Sequence, residues 1–316
     1  STGNAKDYDS YLREIGAVMD QSDDVYAAQA YCPITDLDHA DQAYEWMYQN
    51  LQTYNNSRSG ENGESTDFEK AVSKQMASGY VDYINSLKLV DTKTGEPLTL
   101  GEDGRSGRFY QYMVQKVEDA ATVYLNKLSE GSLDVPYTLN DCLSWDGSSA
   151  KITSLDDYLA DYNPRMKSVM AFDNLEMNEK SGENLEFGDE THQYLHFDSY
   201  MPDVLEKLKT DYPEEYSKYA EGYDAVIGDK ALAERKKLLN PLNYIGSDSV
   251  DTAEHIRIRV GTQDADTALS VSAVLALSLE NKTDADVDYA LVWNQGHGNA
   301  DYDGELLQWI DKICKE

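Results

Sequence analysis

The spacing of apolar and polar positions changes three times in the last sixty residues of the chain. His255-Ile256-Arg257-Ile258-Arg259-Val260 alternates with a period of two and predicts a strand. The alternation breaks at Gly261-Thr262-Gln263-Asp264-Ala265-Asp266, which reads as a loop at the strand's carboxyl end. Thr267 to Leu279 is an apolar helical stretch with Asp266 as its cap, and Val287 to Trp293 predicts a second short strand. That strand empties into Asn294-Gln295-Gly296-His297-Gly298. A final amphipathic helix from about Asp303 to Ile313 sets Leu306, Trp309, Ile310 and Ile313 on one side.

Upstream, Val25 to Tyr31 predicts one further strand, turning at Cys32-Pro33-Ile34, and Tyr8 to Ile15 predicts a short helix before it. After Pro33 the period turns helical for some two hundred residues. Asp36 opens a helix through Tyr44, Trp46, Met47 and Leu51, and Asp67 to Leu87 and Phe109 to Leu128 predict two longer ones. Shorter pieces follow at Leu155 to Tyr162, Tyr200 to Thr210 and Ala231 to Leu239. Asn55 to Glu64, rich in Ser, Gly and Asn, predicts a loop, and Thr92 to Pro97 a turn between short extended pieces.

These elements predict an α/β protein: residues 1–34 and 240–316 form a sheet-bearing core, interrupted by a mainly helical lid or cap over residues 35–239. In open α/β sheets the functional loops sit at the carboxyl ends of the strands, so Asp264 and His297 are expected at one edge. Acid first and histidine second is the chain order at the end of an α/β-hydrolase, where Ser, Asp and His follow one another. An aspartate holds the imidazole in the right tautomer and stabilises its cation while the imidazole takes a proton from a serine. Glycines on each side of His297 would let a tight loop present the ring. Three strands are too few for such a sheet, so the chain is expected to begin mid-domain.

Composition narrows the partners. With 316 residues and 41% hydrophobic content, the chain can bury a sizeable core. A net charge of −32, from 59 acidic and 27 basic residues, argues against nucleic acid and against an anionic membrane surface. No apolar run is long enough to span a bilayer, and Ser1 to Lys6 is no signal peptide. Cys32, Cys142 and Cys314 are odd in number and lack metal-ligand spacing, so neither a disulfide framework nor a zinc site is expected. His192 and His196, four apart, could share a helix face, but no acidic third ligand is suitably spaced. No metal and no cofactor are therefore expected, and His39 and His255 read as structural. The 24 tyrosines fall mostly in helical stripes, as packing requires.

Six blocks carry a family resemblance: Ala30-Tyr31-Cys32-Pro33-Ile34, Asp38-His39-Ala40-Asp41, Ala43-Tyr44-Glu45-Trp46, Asn240-Pro241-Leu242-Asn243-Tyr244-Ile245-Gly246, Val260-Gly261-Thr262-Gln263-Asp264-Ala265-Asp266-Thr267 and Gly296-His297-Gly298-Asn299-Ala300-Asp301-Tyr302. In this order they resemble the bacterial tannases, α/β-hydrolases that cleave galloyl esters. The fungal tannases are less similar, since they join the acid and histidine regions by a disulfide and no Cys flanks Asp264 or His297 here. The resemblance implies Asp264 as triad acid and His297 as triad base. It also implies a Gly-X-Ser-X-Gly elbow, which the chain lacks. Gly104-Arg105-Ser106-Gly107 and Gly246-Ser247-Asp248-Ser249 have the wrong spacing. In the family the stretch resembling Ser1-Thr2-Gly3-Asn4 follows soon after the elbow, so the nucleophile is expected on an amino-terminal fragment of the same enzyme, without which this chain is inactive.

The resemblance further implies a lysine and two carboxylates around the galloyl ring, whose adjacent hydroxyls can donate to a carboxylate or accept from an ammonium. They carry over onto Lys167, Glu183 and Asp266, which are expected to converge near His297. The expected partner is thus a small aromatic ester. Two alternatives remain: an esterase for feruloyl or other aromatic acids, and a non-catalytic binding protein derived from an α/β-hydrolase.

Overall fold

The computed structural model describes residues 3–5, 9–19, 24–179 and 181–315. Tyr8, where the first helix is expected to start, and Ser1, Thr2 and Lys6 lie outside the described residues. The chain enters through β1 (Gly3–Ala5), α1 (Asp9–Glu14) and β2 (Ala27–Tyr31). Next comes α2 (Ala40–Tyr48), buried along its whole length, then β3 (Thr53–Asn56) and β4 (Glu61–Glu64), paired antiparallel. The longer helices follow. Thr66 and Glu69 exchange side-chain and backbone hydrogen bonds to start α3 (Asp67–Leu87), and α4 (Arg108–Ser129) runs for six turns. A second hairpin, β5 (Leu143–Trp145) and β6 (Ala150–Ile152), leads into α5 (Leu155–Asp161), where Ser154 accepts the Asp157 N–H. Four more helices follow before the next strand: α6 (Gly182–Glu186), α7 (Met201–Leu208), α8 (Pro213–Asp224) and α9 (Lys230–Leu239). The last segment is β7 (Val250–Thr252), which pairs with β1, then β8 (His255–Gly261), α10 (Leu269–Lys282), β9 (Asp286–Val292) and α11 (Glu305–Ile313).

The strands β2, β8 and β9 form one parallel sheet in that order, with Ala27 beside His255 and His255 beside Asp286. All of β8 is buried. Its alternation sends Ile256, Ile258 and Val260 into the apolar core, yet the polar face is covered too. Arg257 donates to Gln29 and Asp301, and Arg259 to Asp288, so each buried guanidinium has a carboxylate. The apolar core is continuous from α2 (Tyr44, Trp46) and α4 (Phe109, Tyr124) to β8 and α10, and a large side chain buried in it contributes roughly 1.5–3 kcal/mol. A smaller core joins Phe68, Val72 and Met76 of α3 to Met201, Val204 and Leu205 of α7. Among the described residues, no helix is long and apolar enough to cross a membrane.

Three expectations are corrected. The 55–64 stretch is a hairpin rather than a loop: Thr53 to Asn56 pair with Glu64 to Glu61, and the Asn56 side chain accepts the N–H groups of Arg58 and Ser59 in the turn. No apolar alternation marks it because no residue of the hairpin is buried. Asp266 is not the cap of α10. The helix begins two residues later after Ala268, which makes no side-chain cap bond, and the Asp266 carboxylate turns to Arg58 instead. His192 and His196 share no helix face, since neither lies in a helix.

Candidate functional site

Three parallel strands deliver three chemically distinct side chains to one edge. Cys32 follows β2, Asp264 lies in the turn after β8, and His297 in the turn after β9. His297 Nδ1 is 3.1 Å from Asp264 Oδ2. The acid's side chain is 1% exposed and the imidazole's 38%, so a buried carboxylate backs a ring that reaches solvent. The other acid oxygen, Oδ1, accepts the Asp266 N–H at 3.0 Å, which fixes the carboxylate plane. Cys32 donates its thiol hydrogen toward Gly298 O at 3.5 Å, and burial first, with Asp264 adding, pushes the thiol up to about 11. One ligand atom each from Cys32, Asp264 and His297 lie within 4.8 Å of one another.

The two loops are braced from both sides. Gln263 N donates to Gln295 O at 2.9 Å and Thr262 N to Val292 O at 3.0 Å, tying the acid turn to the histidine turn. Gly261 permits this approach, because a Cβ there would run into the carbonyls of Gln295 and Gly296. Gly296, by contrast, has open space around its Cα, so the glycine that the loop pair depends on is Gly261. From the segment between β2 and β7, Tyr158 donates to Thr262 O, Tyr44 to Ala265 O at 3.0 Å and Asn163 to Asp264 O at 3.3 Å. Trp293, at the end of β9, stacks on Tyr162 at 4.2 Å and donates to Tyr137. Sequence reasoning missed all of these, since tyrosines in an amphipathic stripe look alike whether they fill space or hold a carbonyl.

Of the three residues expected around an aromatic ring, Asp266 lies beside the imidazole, 3.8 Å from His297 Nδ1. It is paired with Arg58, from the tip of the β3–β4 hairpin, whose guanidinium also reaches the Met166 sulfur at 3.5 Å. Lys167 is half-buried beside that sulfur's residue. Its ammonium lies 4.2 Å over the Phe172 ring, and its backbone N–H donates to the Tyr44 hydroxyl that binds Ala265. Lys167 and Asp266 therefore share neighbours. Glu183, in the first turn of α6, makes no hydrogen bond or ion pair to Lys167, Asp266 or His297.

The remaining histidines are held elsewhere. His196 is buried against Asp173 at 2.7 Å and stacked on Tyr223, His192 faces Asp189, His39 pairs with Asp36, and His255 with Asp286. A cleft of about 500 Å³ is lined by Lys116, Arg257, Arg259, Asp288 and Trp309, but by neither Asp264 nor His297.

Fold and site together define a mixed helix–strand protein in which a buried carboxylate and an imidazole meet at the carboxyl ends of neighbouring parallel strands. No protein-family model matches the chain, and no curated protein matches it. Solved structures do. The tannin acyl hydrolase of Lactobacillus plantarum is 32% identical, with a TM-score of 0.79 over 99% of this chain and 62% of that one. The Fusobacterium nucleatum tannase is 35% identical, with a TM-score of 0.77 over 99% of this chain and 64% of that one. A tannin acyl hydrolase in complex with ethyl gallate is 32% identical, with a TM-score of 0.77 over 99% and 61%. The chain belongs to the bacterial tannase family. It spans less than two thirds of the length of these relatives.

Proposed function

We propose that the chain is part of a serine carboxylesterase that hydrolyses galloyl esters, with Asp264 as the acid and His297 as the base of a Ser-Asp-His triad. The observation that carries this reading is the 3.1 Å contact between His297 Nδ1 and the buried Asp264 Oδ2. Nδ1 faces the acid, so Nε2 is the nitrogen left for a substrate-side proton. A serine hydroxyl attacks the ester carbonyl as Nε2 takes its proton, and Asp264 stabilises the imidazolium. The imidazolium then protonates the leaving alcohol, and water, activated by the same nitrogen, releases the aromatic acid. The chain has no Gly-X-Ser-X-Gly sequence, so the serine and the oxyanion donors belong to polypeptide outside these 316 residues, and the chain alone is inactive. In this reading residues 1–34 and 240–316 belong to an α/β-hydrolase core, and residues 35–239 are its lid.

Lys167, Glu183 and Asp266 are the proposed contacts to the phenolic hydroxyls. Support for an aromatic ligand comes from relatives solved with ethyl gallate and with 3,4-dihydroxybenzoate. The test uses the full-length enzyme. Asp264→Asn should lower kcat on methyl gallate by about 10³–10⁴-fold, because the amide holds the wrong tautomer. A variant within about threefold of the parent would reject the triad assignment. Methyl ferulate is the second arm: preference for it over methyl gallate would keep the dyad and replace the acyl group.

A further inference from the structure

We infer that Cys32, Asp264 and His297 form a binding site for one soft divalent cation of the zinc and cadmium type. The three residues lie in the turns after three different strands, which is why no spacing in the sequence announces them, and the parallel sheet brings a thiol, a carboxylate and an imidazole to one point. That donor set suits a soft or borderline dication, whereas magnesium and calcium prefer oxygen ligands alone. The geometry needs little change. Zinc binds nitrogen and carboxylate oxygen at about 2.1 Å, so two such ligands stand roughly 3–3.5 Å apart, and His297 Nδ1 and Asp264 Oδ2 are already 3.1 Å apart. The sulfur has to approach by at most about 1 Å from the 4.8 Å limit that encloses all three atoms. Both polypeptide anchors are firm: Cys32 N donates to Arg259 O at 2.9 Å, and Asp264 is held by the Asp266 N–H. Asp266, 3.8 Å from the imidazole, is already paired with Arg58, so the charge that meets the cation comes from Asp264 and the Cys32 thiolate, and the part-exposed ring leaves a solvent side for a water ligand.

The proton balance is simple. The Cys32 S–H bond breaks, its proton goes to solvent, and a thiolate–cation bond forms. A neutral His297 gives the lone pair of Nδ1 and keeps its N–H at Nε2, so the hydrogen bond to Asp264 is replaced by a shared cation. Nothing is oxidised or reduced. Without a cation the site is a hydrogen-bonded cluster, with the Cys32 thiol on Gly298 O and His297 Nδ1 on Asp264, and cation binding releases the thiol proton. A cation held there fixes the imidazole in a form that cannot take a proton. This last consequence rests on the esterase reading, but the site itself does not.

The experiment is a titration of the full-length protein with cadmium chloride, followed by the ultraviolet thiolate-to-cadmium charge-transfer band and by calorimetry. One equivalent should bind, with zinc chloride competing and magnesium chloride not. The band should be absent in Cys32→Ser and retained in Cys314→Ser, whose thiol is exposed. His297→Ala should weaken cadmium binding by at least about tenfold, since losing even a group that only hydrogen-bonds to a ligand costs roughly 10–100-fold. A band that persists in Cys32→Ser, or an unchanged affinity in His297→Ala, would overturn the inference. Should Cys32→Ser fail to fold, alkylation decides it. Cadmium must slow modification of Cys32 in the parent and lose that protection in His297→Ala, and equal alkylation rates in the parent with and without cadmium count against the site. Ester hydrolysis is measured separately, so an inactive protein that still binds cadmium through Cys32 rejects the esterase reading alone.

Discussion

Gly261 sets how closely the acid and histidine turns approach. Its missing side chain lets the carbonyls of Gln295 and Gly296 lie against the end of β8, and the Gln263 N–H then reaches Gln295 O. Gly261→Ala should therefore push the two turns apart and cost about 1–3 kcal/mol, the range for overpacking a filled site. Gly296→Ala meets nothing within 4 Å and should stay within roughly 0.5 kcal/mol of the parent. Urea unfolding of both variants checks this, and equal losses would show that close approach is not what Gly261 provides. Asp266 is a second residue whose environment sets its role. It is not a helix cap, and Arg58 occupies its carboxylate. If it binds a phenol, Asp266→Ala in the full-length enzyme should reduce turnover of galloyl esters by about ten- to a hundredfold while sparing a benzoyl ester. Equal losses on both esters would mean that it supports the Asp264 loop.

At the scale of elements, the helices between β2 and β7 meet the site through α2, whose Tyr44 holds Ala265 O. Glu45, inside that helix, is fully buried with Arg165, which forks both nitrogens onto the carboxylate and sends its Nε to Lys167 O at 2.8 Å. The pair thus connects α2 to the backbone of a proposed substrate contact. Arg165→Ala leaves the buried Glu45 carboxylate without a counter-charge, held by the Ser73 hydroxyl at 2.5 Å, and should cost about 3–5 kcal/mol, read as a lower denaturation midpoint. Glu45→Leu combined with Arg165→Met should recover most of that loss, and failure to recover would assign the cost to the Lys167 segment instead. None of this could be read from the sequence, where Glu45 looks like one more charge on a helix and its partner lies 120 positions away. What could be read was local. The period-two run of β8 and the helical stripes of α3 and α4 each determine a buried face by themselves. The β3–β4 hairpin has no buried face, so its Ser-, Gly- and Asn-rich run read as a loop, and the Arg58 that it carries to Asp266 was invisible. The acid and histidine turns were legible because loops at strand ends follow from the strands. The braces on them, Tyr44, Tyr158 and Asn163, depend on how a segment 100 or more positions away packs against these turns.

Across the whole molecule, acidity is also stored inside. Asp41, Asp173 and Asp198 are buried together where α2 meets the 172–198 segment, with His196 against Asp173 and Tyr223 and Glu45 close by. Burial pushes Asp41 from the usual carboxylate range up to about 7, the charges of Asp173 and Glu45 add to it, and the N–H groups of Phe172 and Asp173 pull the other way. Asp198 is raised in the same direction, again first by burial. A carboxyl whose folded pKa is raised keeps its proton in the folded state after the unfolded chain has released it. Its contribution is complete below about pH 4 and is lost as pH rises to about 7, at no more than one to two kcal/mol per pH unit for each proton. The net charge of −32 acts in the same sense, because self-repulsion grows as carboxyls ionise. Salt separates the two, since it screens exposed charges and leaves buried ones largely unscreened. In high salt, unfolding free energy should still fall between pH 5 and 7, and Asp41→Asn should flatten that slope. The amide can accept only one of the two N–H bonds that Asp41 now accepts from Phe172 and Asp173, so the whole curve should also drop by roughly 1–3 kcal/mol. The offset reads the lost hydrogen bond and the slope reads the proton. Identical slopes in parent and variant would show that Asp41 is already ionised in the fold, held there by the two backbone donors.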